Sequence, residues 1–501
     1  MNIGLLLQMA ASALPDRVAV GHGTESLSYD ALYREAAAAA RWIGAQQDVE
    51  HVAYLGLNSA RFPVALFGAA MAGRIFVPLN YRLPDDQLRK QAARLAPALI
   101  VADDDLCHRL DGVAGVRTIS RSRFIAETAG EESHDPELPE DADAVAVLLF
   151  TSGTTGEPKA SILRHRHLFS YVAQTVEFAG SEPDEAILVS VPPYHIAGIS
   201  SVLTSVYGGR RIVVLPAFSP SAWIDAARDA AVTHAMVVPT MLGRILDMLD
   251  ATGGTLPALR HLSYGGGRMP ASVIERALGR LPHVDFVNAY GLTETSSTIA
   301  ILGPEDHRRA LGGASAEERQ RLGSVGRPLP NLQIEIRDAD GRAVGVRTSG
   351  EIWVRGEQIS GEYRERKAVR DDGWLNTNDA GWMDEEGYLY VEGRLDDVIV
   401  RGAENISPGE VEDVLRLHPA VADVAVVGLP DDEWGERVAA AVVTKAPVPA
   451  EELRNWVRER LRSTKAPEEV HFYPELPYNE TGKLLRRVLK QELAQAAART
   501  A

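Results

Sequence analysis

Two series of short, wholly apolar runs, separated by helical segments, constrain this chain more than any other feature. In the first, "HVAYLGL", "RIFVPLN" and "ALIVADD" alternate with the helical "FPVALFGAAMAG" and "DDQLRKQAARLAP". In the second, "AILVSVPP", "RIVVLP", "THAMVVP", "LRHLSYGGG" and "VDFVNAYG" are separated by segments such as "PSAWIDAARDAAV" and "ASVIERALGRLP". Runs that are apolar at successive positions are strands covered on both faces, the signature of a parallel sheet with crossover helices. From Ser324 the texture changes: "LQIEIRDADGRAV" and "GEIWVRG" predict a small antiparallel sheet or barrel. Further on, "SPGEVEDVLRLHP" predicts a helix capped by Ser407, with Pro408 at its first position and Glu410 completing a capping box. The expected fold is therefore α/β: a large N-terminal domain of stacked α/β sheets with a small β-barrel-like part over residues 1–393, then a small, mobile α+β domain over 394–501.

The chain has 501 residues, long enough for several domains, and a net charge of −17. That charge argues against nucleic acid and against an anionic membrane surface as general partners, and any anionic ligand must be drawn by local groups. Cys107 is the single cysteine, which excludes an intramolecular disulfide and a cysteine-based metal cluster; its acidic flank "DDDLCHRL" raises the thiol pKa and marks it as structural. The opening "MNIGLLLQMAASAL" lacks the basic region of a secretory leader and is expected to form a surface helix. No run approaches the ~18 apolar residues of a membrane span. A cytoplasmic enzyme is the default expectation.

The stretch "LLFTSGTTGEPKA", residues 148–160, drops abruptly from a buried strand into a small, polar loop. Thr151, Ser152, Thr154 and Thr155 offer hydroxyls, and Gly153 and Gly156 let backbone N–H groups approach an anion without a Cβ in the way. It is not the common P-loop, because Pro158 stands between Gly156 and Lys159. The reading at this level is a strand-to-helix connection at the carboxyl end of a strand. Whether it cradles phosphate or merely turns is left open by these residues alone.

Five segments in register resolve that alternative. "TSGTTGEPK", "YGLTET" (290–295), "GWLNTND" (373–379), "GRLDDVIVRGAENISPGEVE" (393–412) and "NETGK" (479–483) together resemble the adenylate-forming superfamily of acyl-CoA synthetases, peptide-synthetase adenylation domains and luciferases, most of all a fatty-acid–CoA ligase. The resemblance implies activation of a carboxylic acid by ATP to an acyl adenylate, with Mg²⁺, and transfer of the acyl group to coenzyme A. It assigns Thr151, Ser152, Gly153, Thr154, Thr155 and Gly156 to the triphosphate, with Lys159 at the end of the loop. Glu294 resembles the Mg²⁺ ligand, and Tyr290, Gly291 and Thr293 flank it. Asp379 resembles the carboxylate that accepts the ribose hydroxyls, and Arg394 the guanidinium near ribose or phosphate. Lys483 resembles the lysine that bridges the carboxylate and α-phosphate, Asp396 the hinge, and Arg401 and Gly402 the lining of the pantetheine channel. Catalysis of this kind is mostly positioning and charge stabilisation, which hydroxyls, bare amides, a metal ion and lysine supply; Lys483, Glu294, Thr155 and His195 are the catalytic candidates.

His195, in "PPYHIAG", resembles a residue bordering the acyl site; a hydrogen-bonded structural histidine is the competing reading. Gly265, Gly266, Ala289 and Gly291 are the candidate walls of the acyl pocket. The segment "YGGGRMP" (264–270) carries Gly266, Gly267 and Arg268 where the family borders adenine and the acyl group, and Arg268 departs from the usual Ala-Pro there. Solvent is its expected environment, an anionic substrate group the alternative. Asn378 replaces the usual Gly before the ribose Asp. The "RHRH" run (164–167) is expected to start a helix rather than bind metal.

The resemblance implies an acid–thiol ligase acting on a fatty or similarly apolar acid. An aromatic acid, transfer to a carrier protein and a non-catalytic nucleotide-binding homologue stay open as alternatives. A homodimer is only the base-rate expectation.

Overall fold

The computed structural model describes residues 1–22, 26–129, 135–151, 158–313, 315–402, 404–431, 433–478 and 484–500. Both alternating series form sheets. Among the described residues the first series lies in a seven-stranded sheet, whose parallel core is His51–Leu55, Ile75–Leu79, Ala98–Ala102, Val116–Ser120 and Val145–Thr151. The second lies in a nine-stranded sheet around the parallel strands Ala186–Val189, Arg211–Val214, His234–Val237, His261–Gly265 and Asp285–Leu292. One apolar cluster joins them: it takes Val52, Phe76 and Val147 from one sheet and Ile187, Val189 and Ile212 from the other, with the helices between. The outer faces are covered separately, by Asp85–Ala93 on the first sheet and by Pro220–Asp229, Pro239–Thr252 and Ala271–Arg280 on the second.

The helix Tyr29–Gly44 starts where the sequence places it, with the Ser28 hydroxyl accepting from the Ala31 amide. Three expectations need correction. The helix Gly4–Ala13 is not a surface helix, because Leu6, Leu7 and Ala10 are fully buried in the cluster between the sheets. The strand Val145–Thr151 does not lead into a helix. It pairs antiparallel with the next described strand, Lys159–Arg164, Thr151 opposite Lys159. The capping box at Ser407 does not form either: its hydroxyl donates to the Glu392 carbonyl at 2.7 Å, while Glu410 is taken by Lys465 at 2.6 Å. The helix Pro408–Arg416 begins there nonetheless, because Pro408 presets its φ.

From residue 333 the strands Gln333–Arg337, Gly350–Arg355, Leu375–Met383 and Leu389–Arg394 form a four-stranded antiparallel sheet. The short helical turn Leu395–Asp397 follows, and beyond it lies a five-stranded sheet with its own apolar cluster, built on Ile399, Val411, Leu415, Val424, Val426, Val442 and Leu453. Among the described residues no helix is long and apolar enough to cross a membrane. Burial, followed by the surrounding aspartates, raises the Cys107 thiol pKa, the direction its acidic flank implies.

Candidate active site

The carboxyl ends of the second sheet's strands and one edge of the antiparallel sheet bring most of the motif residues together. Asp379 and Arg394 stand opposite each other on neighbouring antiparallel strands. Arg394 Nη1 lies 3.4 Å from Asp379 Oδ1 and donates to the Thr377 carbonyl at 2.7 Å. Tyr290, at the end of the strand Asp285–Leu292, donates its hydroxyl to Asp379 Oδ2 at 2.6 Å. Burial, then the Asp379 charge, pushes the Tyr290 phenol well above its ordinary pKa, so it stays a donor. Burial alone would lower the Arg394 pKa; Asp379 and Glu294 outweigh it and hold the guanidinium charged. Asn378 adopts φ +58° and its amide is bonded to the Asn376 side chain at 2.8 Å. Asn tolerates this left-handed conformation better than most side chains, so the turn survives without the usual Gly.

Glu294 sits in the short turn Thr293–Thr295, and the segment 360–363 holds it from both ends. Its carbonyl accepts from the amides of Ser360 and Gly361 and from the Ser360 hydroxyl, each at 3.0 Å. Its carboxylate accepts from the Tyr363 hydroxyl through Oε1. The Tyr363 ring carries Lys159 Nζ at 5.9 Å from its centroid, which ties the end of the Gly/Thr loop to Glu294. Behind the turn, Ser296 (φ +57°) and Ser297 (φ +122°) are non-glycine residues in left-handed backbone. Such strain persists only where surrounding bonds over-determine it. Here Ser296 Oγ bonds to the Gln358 carbonyl at 2.8 Å, and the buried Gln358 amide donates to the carbonyls of Thr295 and Thr298. Sequence reasoning missed Tyr363 and Gln358; the run "GEQISGEY" offers only a short polar loop, and their partners Glu294 and Thr295 lie 69 and 63 residues away.

The candidate pocket walls divide by cause. A Cβ on Gly265 would overlap the Ala289 carbonyl of the neighbouring strand, and one on Gly291 the Ser297 carbonyl. Those two are small because backbone packs on them. Gly266 is held as glycine by its backbone, at φ +77°, although a Cβ there would meet only Val238 at 3.6 Å; Gly267 is under neither constraint, with Pro239 at 3.9 Å the nearest atom a Cβ would meet. His195 precedes the helix Ile196–Gly208 and its ring lies 4.7 Å from that of Tyr194, which itself meets Tyr81 edge-on at 5.7 Å. Its Nε2 is shielded from solvent with no protein partner among the described residues, and burial, then Arg82, brings its pKa down to about 4. It is a neutral imidazole at neutral pH.

Arg268, expected in solvent, is partly exposed and also has a protein partner. It donates to Asp413 at 2.5 Å, on the helix Pro408–Arg416, and its guanidinium lies so close to Gly409 that a Cβ there would fall 2.5–2.8 Å from it. Arg401 and Gly402 are separate from the cluster: Arg401 bonds to Thr464 at 2.8 Å and Glu468 at 2.7 Å, and the Gly402 amide (φ +61°) donates to the Trp434 carbonyl at 2.7 Å beside the half-exposed Trp434 ring. Asp396 lies in the turn between the last strand of the antiparallel sheet and Ile399–Arg401. Ser152, Gly153, Thr154, Thr155 and Gly156, and Lys483 in the C-terminal segment, lie outside the described residues. The RHRH run starts a helix, as expected.

The family model of the AMP-binding enzyme matches residues 7–364, and that of the AMP-binding enzyme C-terminal domain matches 410–483. The chain belongs to the AMP-binding enzyme family. This is the adenylate-forming superfamily that the five motifs resemble, whose members here are AMP-forming acid–thiol ligases. It is 33% identical to a feruloyl-CoA synthase of Amycolatopsis over 94% of this chain and 95% of that one. It is 31% identical to a fatty acid–[acyl-carrier-protein] ligase of Streptomyces coeruleorubidus, over 95% and 93%. Among solved structures, the O-succinylbenzoate coenzyme A synthetase of Bacillus subtilis in complex with ATP and magnesium ion matches with a TM-score of 0.82 at 30% identity, over 97% and 99%.

Proposed function

We propose that this AMP-binding enzyme is an ATP-dependent acid–CoA ligase that makes an acyl adenylate from an aromatic carboxylic acid, releases pyrophosphate, and passes the acyl group to coenzyme A. The observation that carries the nucleotide half is the convergence of Tyr290, Asp379, Arg394 and Glu294 on one edge. Asp379, fixed by a neutral donor and a cation, is the acceptor for the ribose hydroxyls, and Arg394 supplies positive charge beside it. Among the described residues no group of three or more His, Cys, Asp or Glu could hold a metal. A single carboxylate such as Glu294 nevertheless suits Mg²⁺, which keeps waters and substrate phosphates as its other ligands. Bound there, the ion would neutralise phosphate charge; Glu294 would hold it, and Lys159 and the 151–156 loop would bind the phosphates.

The aromatic acid, rather than the fatty acid that the motifs first suggest, is supported by the feruloyl-CoA and O-succinylbenzoate relatives. The wall at Gly266 and Gly267 leaves room for it, and His195, neutral and half-buried, borders it. Residues 394–501 act as the lid, turning about Asp396, with Lys483 serving adenylation and Arg401 and Gly402 serving thiol transfer. Transfer to a carrier protein is the second reading, favoured by the carrier-protein ligase among the relatives.

Mass spectrometry of the purified protein with ATP, Mg²⁺ and a mixed pool of aromatic and fatty acids, with and without coenzyme A, tests the proposal. An aromatic acyl-CoA with the thiol and the matching adenylate without it are the expected products. Adenylate in both tubes with no thioester points to a carrier protein, and neither product for any acid overturns the ligase reading.

A further inference from the structure

The segment that touches Glu294 is held as firmly as Glu294 itself. The edge strand Glu362–Tyr363 pairs antiparallel with Lys159–Arg164, Tyr363 opposite Ser161. Arg164 Nε donates to Glu362 at 2.8 Å, and the Arg364 amide to the Ala160 carbonyl at 2.9 Å. Tyr363 is thus anchored to the same strand that Lys159 begins. Its ring is flanked by two cations, Lys159 Nζ at 5.9 Å and the Arg366 guanidinium at 5.6 Å.

The terminal torsion of a glutamate is soft, and a carboxylate held only through its Cγ samples a wide arc. A donor fixed on one oxygen removes that freedom and directs the other oxygen. We propose that Tyr363 is a positioning residue for Glu294: its hydroxyl holds Oε1 so that Oε2 is presented to Mg²⁺, and its ring couples that carboxylate to Lys159 at the end of the phosphate loop. The inference rests on the reading of Glu294 as the Mg²⁺ ligand. Partners that orient a metal ligand typically change metal affinity by about 10–100-fold when removed.

Tyr363→Phe keeps the ring and its two cations and deletes only the donor. Mn²⁺ serves as the probe, its binding to the full-length protein with ATP followed by electron paramagnetic resonance, beside ATP affinity in EDTA and the Mg²⁺ concentration that half-saturates pyrophosphate release. In Tyr363→Phe, Mn²⁺ binding weakens and the half-saturating Mg²⁺ rises by about 10–100-fold, while ATP affinity in EDTA and the thermal midpoint without metal stay at the wild-type values. Unchanged Mn²⁺ binding in Tyr363→Phe, with binding lost in Glu294→Gln, overturns the role of Tyr363 alone. Unchanged Mn²⁺ binding in Glu294→Gln overturns the metal-ligand reading and this inference with it. Equal weakening of ATP binding with and without metal assigns Tyr363 to general support of the site and also overturns the inference.

Discussion

Tyr290 donates its hydroxyl to one oxygen of Asp379 at 2.6 Å while Arg394 stands 3.4 Å from the other. The three side chains come from two sheets, and Asp379 between them is 6% exposed. A buried carboxylate so bracketed is fixed in orientation before any ligand arrives. Hydrogen bonds to a charged group contribute about 1.5–3 kcal/mol. Tyr290→Phe is therefore expected to weaken ATP binding by roughly 10–100-fold, and Asp379→Ala by at least as much. Isothermal titration with ATP checks both; wild-type affinity in Asp379→Ala would remove it from the nucleotide site.

The glycines at the pocket separate into two kinds of variant. Gly291→Ala forces a Cβ onto the Ser297 carbonyl and Gly265→Ala onto that of Ala289, so both are expected to unfold at lower denaturant, by about 1–3 kcal/mol or more. Gly267→Ala, with only Pro239 at 3.9 Å, is expected to fold like the wild type and to shift the ranking of acids. Urea midpoints and a competition assay among acids measure the two effects.

Four histidines give a direction to acid sensitivity. His165 and His195 are held down to about 4, and His167 and His234 to about 3, in every case first by burial. Each unfolded imidazole takes a proton near its ordinary value of 6.5 while the folded one refuses it, so the unfolded state binds more protons in between. Stability is fully present above pH 6.5 and falls as the pH drops toward 4, by up to about 1.4 kcal/mol per pH unit for each depressed group. Urea midpoints at pH 7.5, 6.5, 5.5 and 4.5 are expected to descend, and His234→Gln is expected to flatten the slope; midpoints that rise with acid contradict the assignment.

Arg268, just after the strand His261–Gly265, is linked to the helix Pro408–Arg416 through Asp413 and the bare backbone of Gly409. The pair is partly exposed, and such pairs contribute about 0–1 kcal/mol. Arg268→Ala is expected to leave the ranking of acids unchanged and to speed proteolysis around Asp396. A changed ranking would place Arg268 on the substrate after all.

Lys483→Ala is expected to abolish adenylate formation while sparing thioester formation from supplied acyl adenylate, because a lysine that serves only the first half-reaction must be withdrawn for the second. Separate assays of the two half-reactions decide it; equal loss of both contradicts the alternation of the small domain.

Much of this was written in the sequence, since the apolar runs name the parallel strands, and the family resemblance carried by five motifs singles out Asp379, Arg394 and Glu294. Local patterns carry such information because a strand's burial and a motif's chemistry are properties of neighbouring residues. Small residues were the ambiguous signal: Gly265 and Gly267 look alike as letters, yet a Cβ on one would overlap the Ala289 carbonyl and on the other would meet only Pro239 at 3.9 Å. The same limit hid Tyr363 from Glu294, Arg268 from Asp413 and the antiparallel partner of Val145–Thr151. By itself the sequence determined most of the strands and helices and, through the resemblance its motifs carry, the family. Which oxygen each donor holds, and which glycine is forced by backbone and which leaves room, was decided only when long-range packing brought distant strands to one edge, because a hydrogen bond depends on distance and angle that no local pattern encodes.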